Sequence, residues 1–294
     1  MNKREKSLGR LLDKYREGIM RIVFLIAACA SIASVILICV FLFANSIPAL
    51  SEIGLFKFLT GTKWKPGSNI YGILPMILGS IYVTGGALII GVPIALLTAI
   101  FLAHFCPKRL VKPMTAAVNL LAGIPSVVYG FFGLTVLVPL VRQIFGENGL
   151  SILTASILLG IMILPTIIGV ALSAIRAVPE SYYEGSLALG ASHERSAFFV
   201  VFPAAKSGVL AGVILGVGRA IGETMAVIMV TGNQARMPAG ILKGVRTLTT
   251  NIVMEMSYAT DLHREALIAT AAVLFVFIMI INLSFSAMKR RSEK

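Results

Sequence analysis

The residues of this chain best suited to chemistry lie in one stretch, GVLAGVILGVGRAIGETMAV (208–227), where Arg219 and Glu223 stand inside an otherwise apolar run. A charged side chain at the centre of a bilayer costs about 2.5–3.5 kcal/mol on insertion scales, so two of them need a reason. Read as one helix with Gly208 at zero, Gly212 and Gly216 fall near about 40° and 80°, Arg219 near about 20° and Glu223 near about 60°. The charges therefore stand over a glycine stripe, and small residues at this spacing let another backbone approach closely. That face looks into the protein, and at about 1.5 Å per residue both charges lie near mid-membrane. Their spacing of four also lets them neutralise one another. Two readings follow. One is a buried ion pair that fixes helix register, although such a pair seldom gains much over apolar packing. The other makes Arg219 a fixed cation that holds a passing anion through parallel hydrogen bonds, with Glu223 holding the guanidinium and limiting how tightly the anion sticks. The second gives the charges a benefit and is the expectation carried forward.

The elements that must position these residues are membrane helices. Of 294 residues, 57% are hydrophobic and 13% charged, whereas ordinary soluble domains run near 25% charged. Six apolar segments are long enough to span, at about 22–46, 71–103, 114–141, 151–175, 207–230 and 265–288. The formal net charge of +13 would suit nucleic acid, but most of the 26 lysines and arginines fall in the N-terminal tail, the loops after the second and fourth segments and the C-terminal tail. That bias is an orientation signal, placing both termini in the cytoplasm and no nucleic acid among the partners. The first apolar run is about 25 residues, too long for a secretory signal, and reads as an uncleaved span. Cys29 and Cys39 within it and Cys106 beyond form no disulfide or metal pattern. His104, His193 and His263 are scattered and read as surface residues.

This predicts a tail (1–21), a first span (22–46), an external loop (47–70), a membrane domain (71–288) and a short tail (289–294). In the external loop Trp64 reads as an interfacial anchor, with contact to an outside partner as the alternative. The second span is over-long and carries Pro75 and Pro93. The third holds LLAGIPSVVYG, where Gly123 and Pro125, just before Ser126, interrupt the helix; a packed kink and a pathway lining fit equally. Pro165 in the fourth span is similarly open. The loop 177–205 is long for a cytoplasmic connection. Pro179-Glu180 starts a helix, Gly190 ends it, and a second short helix follows, stopped by Pro203. Two short helices around a glycine elbow read as a docking surface.

That loop resembles the EAA loop of ABC importer permeases, a Glu-Ala-Ala start, three residues, a glycine, nine residues, then Ile-x-Leu-Pro. Here Glu184-Gly185-Ser186, Gly190 and Val200-x-Phe202-Pro203 keep the spacing and the small and apolar character. KWKPGSNIYGILPMILGSI, LLAGIPSVVYG and GVGRAIGETMAV are similar to the phosphate-specific, PstC-type branch of that family, over nearly the whole chain. The resemblance implies an all-α membrane protein with six transmembrane helices and the type I ABC importer permease fold. It implies a second, PstA-type permease chain, two cytoplasmic ATPase subunits that use ATP and magnesium, and an external phosphate-binding protein. It assigns Arg219 and Glu223 to the substrate pathway. It assigns Glu184, Gly185, Ser186, Ala188, Leu189 and Gly190, with Pro203, to ATPase coupling.

What the sequence lacks agrees with a transporter subunit in the cell membrane that is not itself an enzyme. No G-x-x-x-x-G-K-[ST] phosphate cradle, nucleophile–base pair or metal-ligand cluster occurs, so no cofactor is expected in this chain. One arginine does not choose among tetrahedral anions, which keeps sulfate or molybdate as alternatives. A secondary transporter is disfavoured by the absence of an internal repeat.

Overall fold

The structure, a computed structural model, describes the backbone of residues 3–292 and the side chains of 16–284, 286 and 287. Met1, Asn2, Glu293 and Lys294, and the tail side chains that carry much of the basic bias, lie outside the described residues. Helix α1 (Lys3–Ile53) is one continuous rod through both the expected tail and the first span. It runs past Pro48 because Ala49 is buried in a cluster with Ala266, Leu267 and Ala269, so the external loop begins at Gly54 and not at residue 47. Phe43 meets Phe275 edge to face, with ring centroids 6.2 Å apart.

The loop then folds into α2 (Leu55–Thr60) and a two-stranded hairpin, β1 (Trp64–Lys65) and β2 (Ile70–Tyr71), with Trp64 opposite Tyr71. Trp64 is neither a membrane anchor nor an exposed contact, being 6% exposed. Its Nε1 donates to Glu255 Oε2 at 2.8 Å, and its ring stands edge-on to Tyr71. A buried indole N–H needs an acceptor, and Glu255 supplies it. The same carboxylate accepts from Arg246 Nη1 at 2.5 Å and from His263 Nε2 at 2.8 Å. His263 is therefore part of a buried polar cluster, contrary to the surface position expected. His104 is also half-buried, while His193 is exposed.

The centre of the molecule is a helix pair, α3 (Leu74–Ile100) and α7 (Ile152–Arg176). Both are apolar nearly all round, and small residues bring their backbones together. A Cβ on Gly91 would sit 2.8 Å from Gly160 O, and one on Gly86 would sit 2.3 Å from Ser156 Oγ. That hydroxyl donates to Val83 O at 3.2 Å, so the polar group is satisfied across the pair. Helix α3 ends in a π-helical turn, Phe101–Phe105.

The third span differs from expectation. Helix α4 (Lys108–Gly123) carries no buried residue, the chain is extended at Ile124 and Pro125, and α5 (Ser126–Phe132), a π turn (Gly133–Leu137) and α6 (Val138–Phe145) follow. The segment long and apolar enough to cross is Ser126–Phe145, not 114–141. The physical cause is Pro125, whose missing N–H and whose bias on Ile124 toward extended backbone end α4 within the apolar run.

After α7 come α8 (Glu180–Ala188), α9 (His193–Ser196) with a π turn (Ala197–Val201), and α10 (Phe202–Ala204). Pro203 lies in the first turn of α10 and does not stop the helix; the break falls at Ala205, where His193–Ala204 and Lys206–Gly222 meet at 74°. Helices α11 (Lys206–Gly222), α12 (Met225–Val230), α13 (Leu248–Glu255) and α14 (Asp261–Ser292) complete the chain. Among the described residues five helices are long and apolar enough to cross a bilayer, and six if the bent pair counts as one. The protein is a multi-pass, all-α membrane protein apart from its small hairpin.

Candidate substrate pathway and coupling surface

Arg219 occupies the last turn of α11, on the face that packs against α7. The glycine stripe works as its spacing predicts. A Cβ on Gly208 would sit 2.4 Å from Ala174 Cβ, one on Gly212 3.2 Å from Val170 Cβ, and one on Gly216 2.7 Å from Ile167 Cδ1. One residue before Ile167 stands Thr166, and Arg219 Nη1 donates to its Oγ1 at 3.2 Å. Thr166 follows Pro165, the proline left open by the sequence, and lies about 15 Å from the Arg176 end of α7 at helical rise. Arg219 is half-buried there. Tyr129, buried on α5, is within Coulombic reach of the same guanidinium.

The expected Arg219–Glu223 pair does not form. Among the described residues the ion pairs are Lys243–Glu147, Arg246–Glu255 and His263–Glu255. The reason is local: α11 stops at Gly222, Glu223 is extended with φ −69° and ψ 128°, and the wheel that aligned the two charges ends between them. Glu223 Oε1 instead accepts the N–H of Ala226 at 3.1 Å, satisfying one of the open donors at the start of α12. Its backbone carbonyl accepts from Thr249 Oγ1 at 3.2 Å, at the N-terminal end of α13. Arg219 thus carries a charge answered by one neutral hydroxyl. The register-fixing ion pair loses its geometry, and so does the expected hold of Glu223 on the guanidinium; the structure leaves a half-buried cation on the face toward α7 with Thr166 as its partner.

The two broken spans meet. Gly130 on α5 lies against α12, where a Cβ would come 2.6 Å from Met229 Sδ and 3.0 Å from Ala226 Cα. Gly123 and Pro125 are exposed at the break, and Ser126, half-buried, opens α5. Interrupted helices with unsatisfied ends are tolerated in a membrane where protein or a wet cavity shields them.

The residues that the resemblance assigns to coupling sit beyond the other end of α7. Helix α8 has no buried residue. Tyr183, Ser186 and Leu187 turn inward, while Glu180, Glu184, Gly185 and Ala188 are exposed and Leu189 is 91% exposed. Gly190 makes the elbow at φ +87°, a conformation that suits glycine, and its N–H bonds Leu187 O at 2.9 Å. Ser192 Oγ accepts from Arg195 N–H at 3.3 Å to cap α9, and Ser196 Oγ bonds Ser186 Oγ at 3.0 Å. Phe199, 76% exposed, adds a second apolar side chain to this surface. Exposed large apolar groups beside polar ones mark an interaction site.

Sequence reasoning missed Thr166, Thr249 and the Glu255 cluster. Pro165 could have drawn attention to its neighbour Thr166, but a threonine in an apolar helix carries little signal alone. Among the described residues no group of three or more His, Cys, Asp and Glu is placed to hold a metal ion.

Comparison with known proteins agrees with this architecture. Residues 91–294 match the family described as binding-protein-dependent transport system inner membrane component. The probable ABC transporter permease protein YqgH of Bacillus subtilis is 36% identical, over 96% of this chain and 94% of its own length. The phosphate transport system permease protein PstC of Mesorhizobium japonicum is 37% identical over 82% of this chain and 80% of its own. A probable PstC of Methanocaldococcus jannaschii is 31% identical over 95% and 93%. Among solved structures, a bacterial alginate ABC transporter bound to its periplasmic protein superposes with a TM-score of 0.62 at 18% identity, covering 94% of this chain and 96% of that chain. The MetNI methionine ABC transporter, facing inward, gives 0.57 at 17% identity over 75% and 94%. The chain belongs to the binding-protein-dependent transport inner membrane family and has the fold of an ABC importer permease.

Proposed function

We propose that this chain is the PstC-type permease subunit of an ATP-driven phosphate importer, and that Arg219 holds the anion on its way through. The substrate rests on relatives named for phosphate transport that align over most of the chain. The residue rests on one observation: a half-buried guanidinium inside the helical bundle whose hydrogen-bond partner is a neutral threonine. A cation held partly out of water without a counter-charge is disfavoured, and an oxyanion that accepts two parallel N–H bonds relieves that cost while it is present. Glu223 acts beside it by holding the start of α12, not by neutralising the arginine.

In this reading both termini lie in the cytoplasm, with the α8–α10 loop. That loop inserts Glu184 to Gly190 into a cleft on one of two ATPase subunits, which bind the ATP and magnesium. A homologous PstA-type permease completes the pathway and supplies further cations, because one arginine is a weak match for a phosphate of one to two charges. An external binding protein delivers phosphate to the opposite face, near the hairpin and α13.

Uptake by proteoliposomes carrying the full complex tests the substrate. Labelled phosphate should accumulate with ATP and resist competition by equimolar sulfate or molybdate. Efficient displacement by sulfate would reassign the anion, and uptake without the ATPase subunits would reject the ABC mechanism.

A further inference from the structure

We propose that the contact chain His104–Tyr183–His193, a stacked ring pair continued by a hydrogen bond, is the strut that carries movement of the coupling loop into the adjoining end of the second span. This makes Tyr183 and His104 positioning residues for transport. The inference rests on the reading above that α8 docks on an ATPase.

The loop is joined to the spans by the turn after Arg176 and the bend at Ala205, and its π turn buries Ala197 and Val201 in the main core. Tyr183 adds the aromatic contact that α8 itself makes with the end of the second span. It is on the inward face of α8, packs against the main apolar core, and stacks on His104 with ring centroids 4.8 Å apart and planes inclined by 21°. Its hydroxyl lies 2.8 Å from His193 Nδ1, so the ring also binds the second short helix, α9. One aromatic side chain thereby joins both helices of the loop to α3.

The receiving end is unusual backbone. His104 belongs to the π-helical turn Phe101–Phe105 at the end of α3, and π turns recur where helices must adjust. Arg176 Nη2 donates to Leu102 O in that same turn at 3.4 Å, linking it to the end of α7. Helix α7 in turn carries Thr166, the partner of Arg219. The route from Tyr183 through α3 and α7 to the guanidinium is thus a contiguous set of packed contacts and rigid helix, a kind of network that can carry coupling between distant sites. His104 Nε2 is buried with no hydrogen-bond partner among the described residues, so this side chain contributes the face of its ring.

The test uses the assembled transporter in proteoliposomes and reads phosphate moved per ATP hydrolysed. His104→Ala and Tyr183→Ala should lower that ratio at least fivefold while the ATPase subunits still co-purify. His104→Phe, which keeps a stacking ring, should stay within about twofold of the wild type. An unchanged ratio in His104→Ala would overturn the strut. If His104→Ala does not assemble, His104→Leu replaces it: a ratio well below that of His104→Phe supports stacking, and an equal ratio overturns it. Leu189→Asp reports separately on docking. Retained ATPase subunits with normal hydrolysis there sink the docking reading, whereas intact docking with an unaltered ratio in His104→Ala sinks the strut alone.

Discussion

Removing the Thr166 hydroxyl should damage transport without damaging the protein. Thr166→Val keeps the branched shape in α7 and deletes the one side-chain hydrogen bond made by Arg219, at 3.2 Å. Hydrogen bonds to charged groups contribute about 1.5–3 kcal/mol, and the length and partial exposure of this one place it at the low end, about 1.5 kcal/mol. If that energy serves to hold the guanidinium in its transport geometry, its loss corresponds to roughly a tenfold drop in uptake, since about 1.4 kcal/mol is a factor of ten. The assay is initial-rate phosphate uptake in proteoliposomes at saturating ATP, normalised to assembled complex. Thr166→Ser restores the hydroxyl and should recover most of the rate. Uptake by Thr166→Val equal to the wild type, or Thr166→Ser as poor as Thr166→Val, would refute the positioning argument.

Other contacts carry outcomes of their own. Glu255→Ala strands Trp64 Nε1, Arg246 and His263 and should destabilise the protein by about 3–5 kcal/mol in thermal unfolding. By contrast Lys243→Ala, which breaks the half-exposed pair with Glu147, should change stability by less than about 1 kcal/mol. Gly208→Ala places a methyl 2.4 Å from Ala174 Cβ and should cost about 1–3 kcal/mol through separation of α11 from α7, visible as lower yield and melting temperature. Gly190→Val forces a branched residue to φ +87° at the elbow, and should leave substrate binding intact while raising ATP hydrolysed per phosphate moved.

The parts of this fold legible in the sequence are those written in local period and composition. Apolar runs announced most of the spans, and the four-residue glycine spacing announced a close helix contact on α11, though not its partner α7, together with the face on which Arg219 stands. The loop spacing announced Gly190, whose positive φ is a local backbone requirement. The break at Glu223 was not legible, because no proline marks it. Its carbonyl is held by Thr249, 26 residues later, and a helical wheel has no access to that contact. The same holds for Trp64, which finds its acceptor 191 residues away in Glu255. Pro125 was legible as an interruption but not as the boundary between an unburied helix and a span, since that depends on what packs against each half. The buried polar contacts of this chain are therefore the features least available to sequence reasoning, and they decide how its charges are used.

The most direct measurement of the central claim is phosphate uptake by Arg219→Leu in a complex shown to contain its ATPase subunits. Uptake should fall to background while assembly and ATP hydrolysis persist, and Arg219→Lys, which keeps the charge without the planar fork, should recover only part of it. Uptake near the wild-type rate by Arg219→Leu would contradict the assignment of this guanidinium to the anion's path.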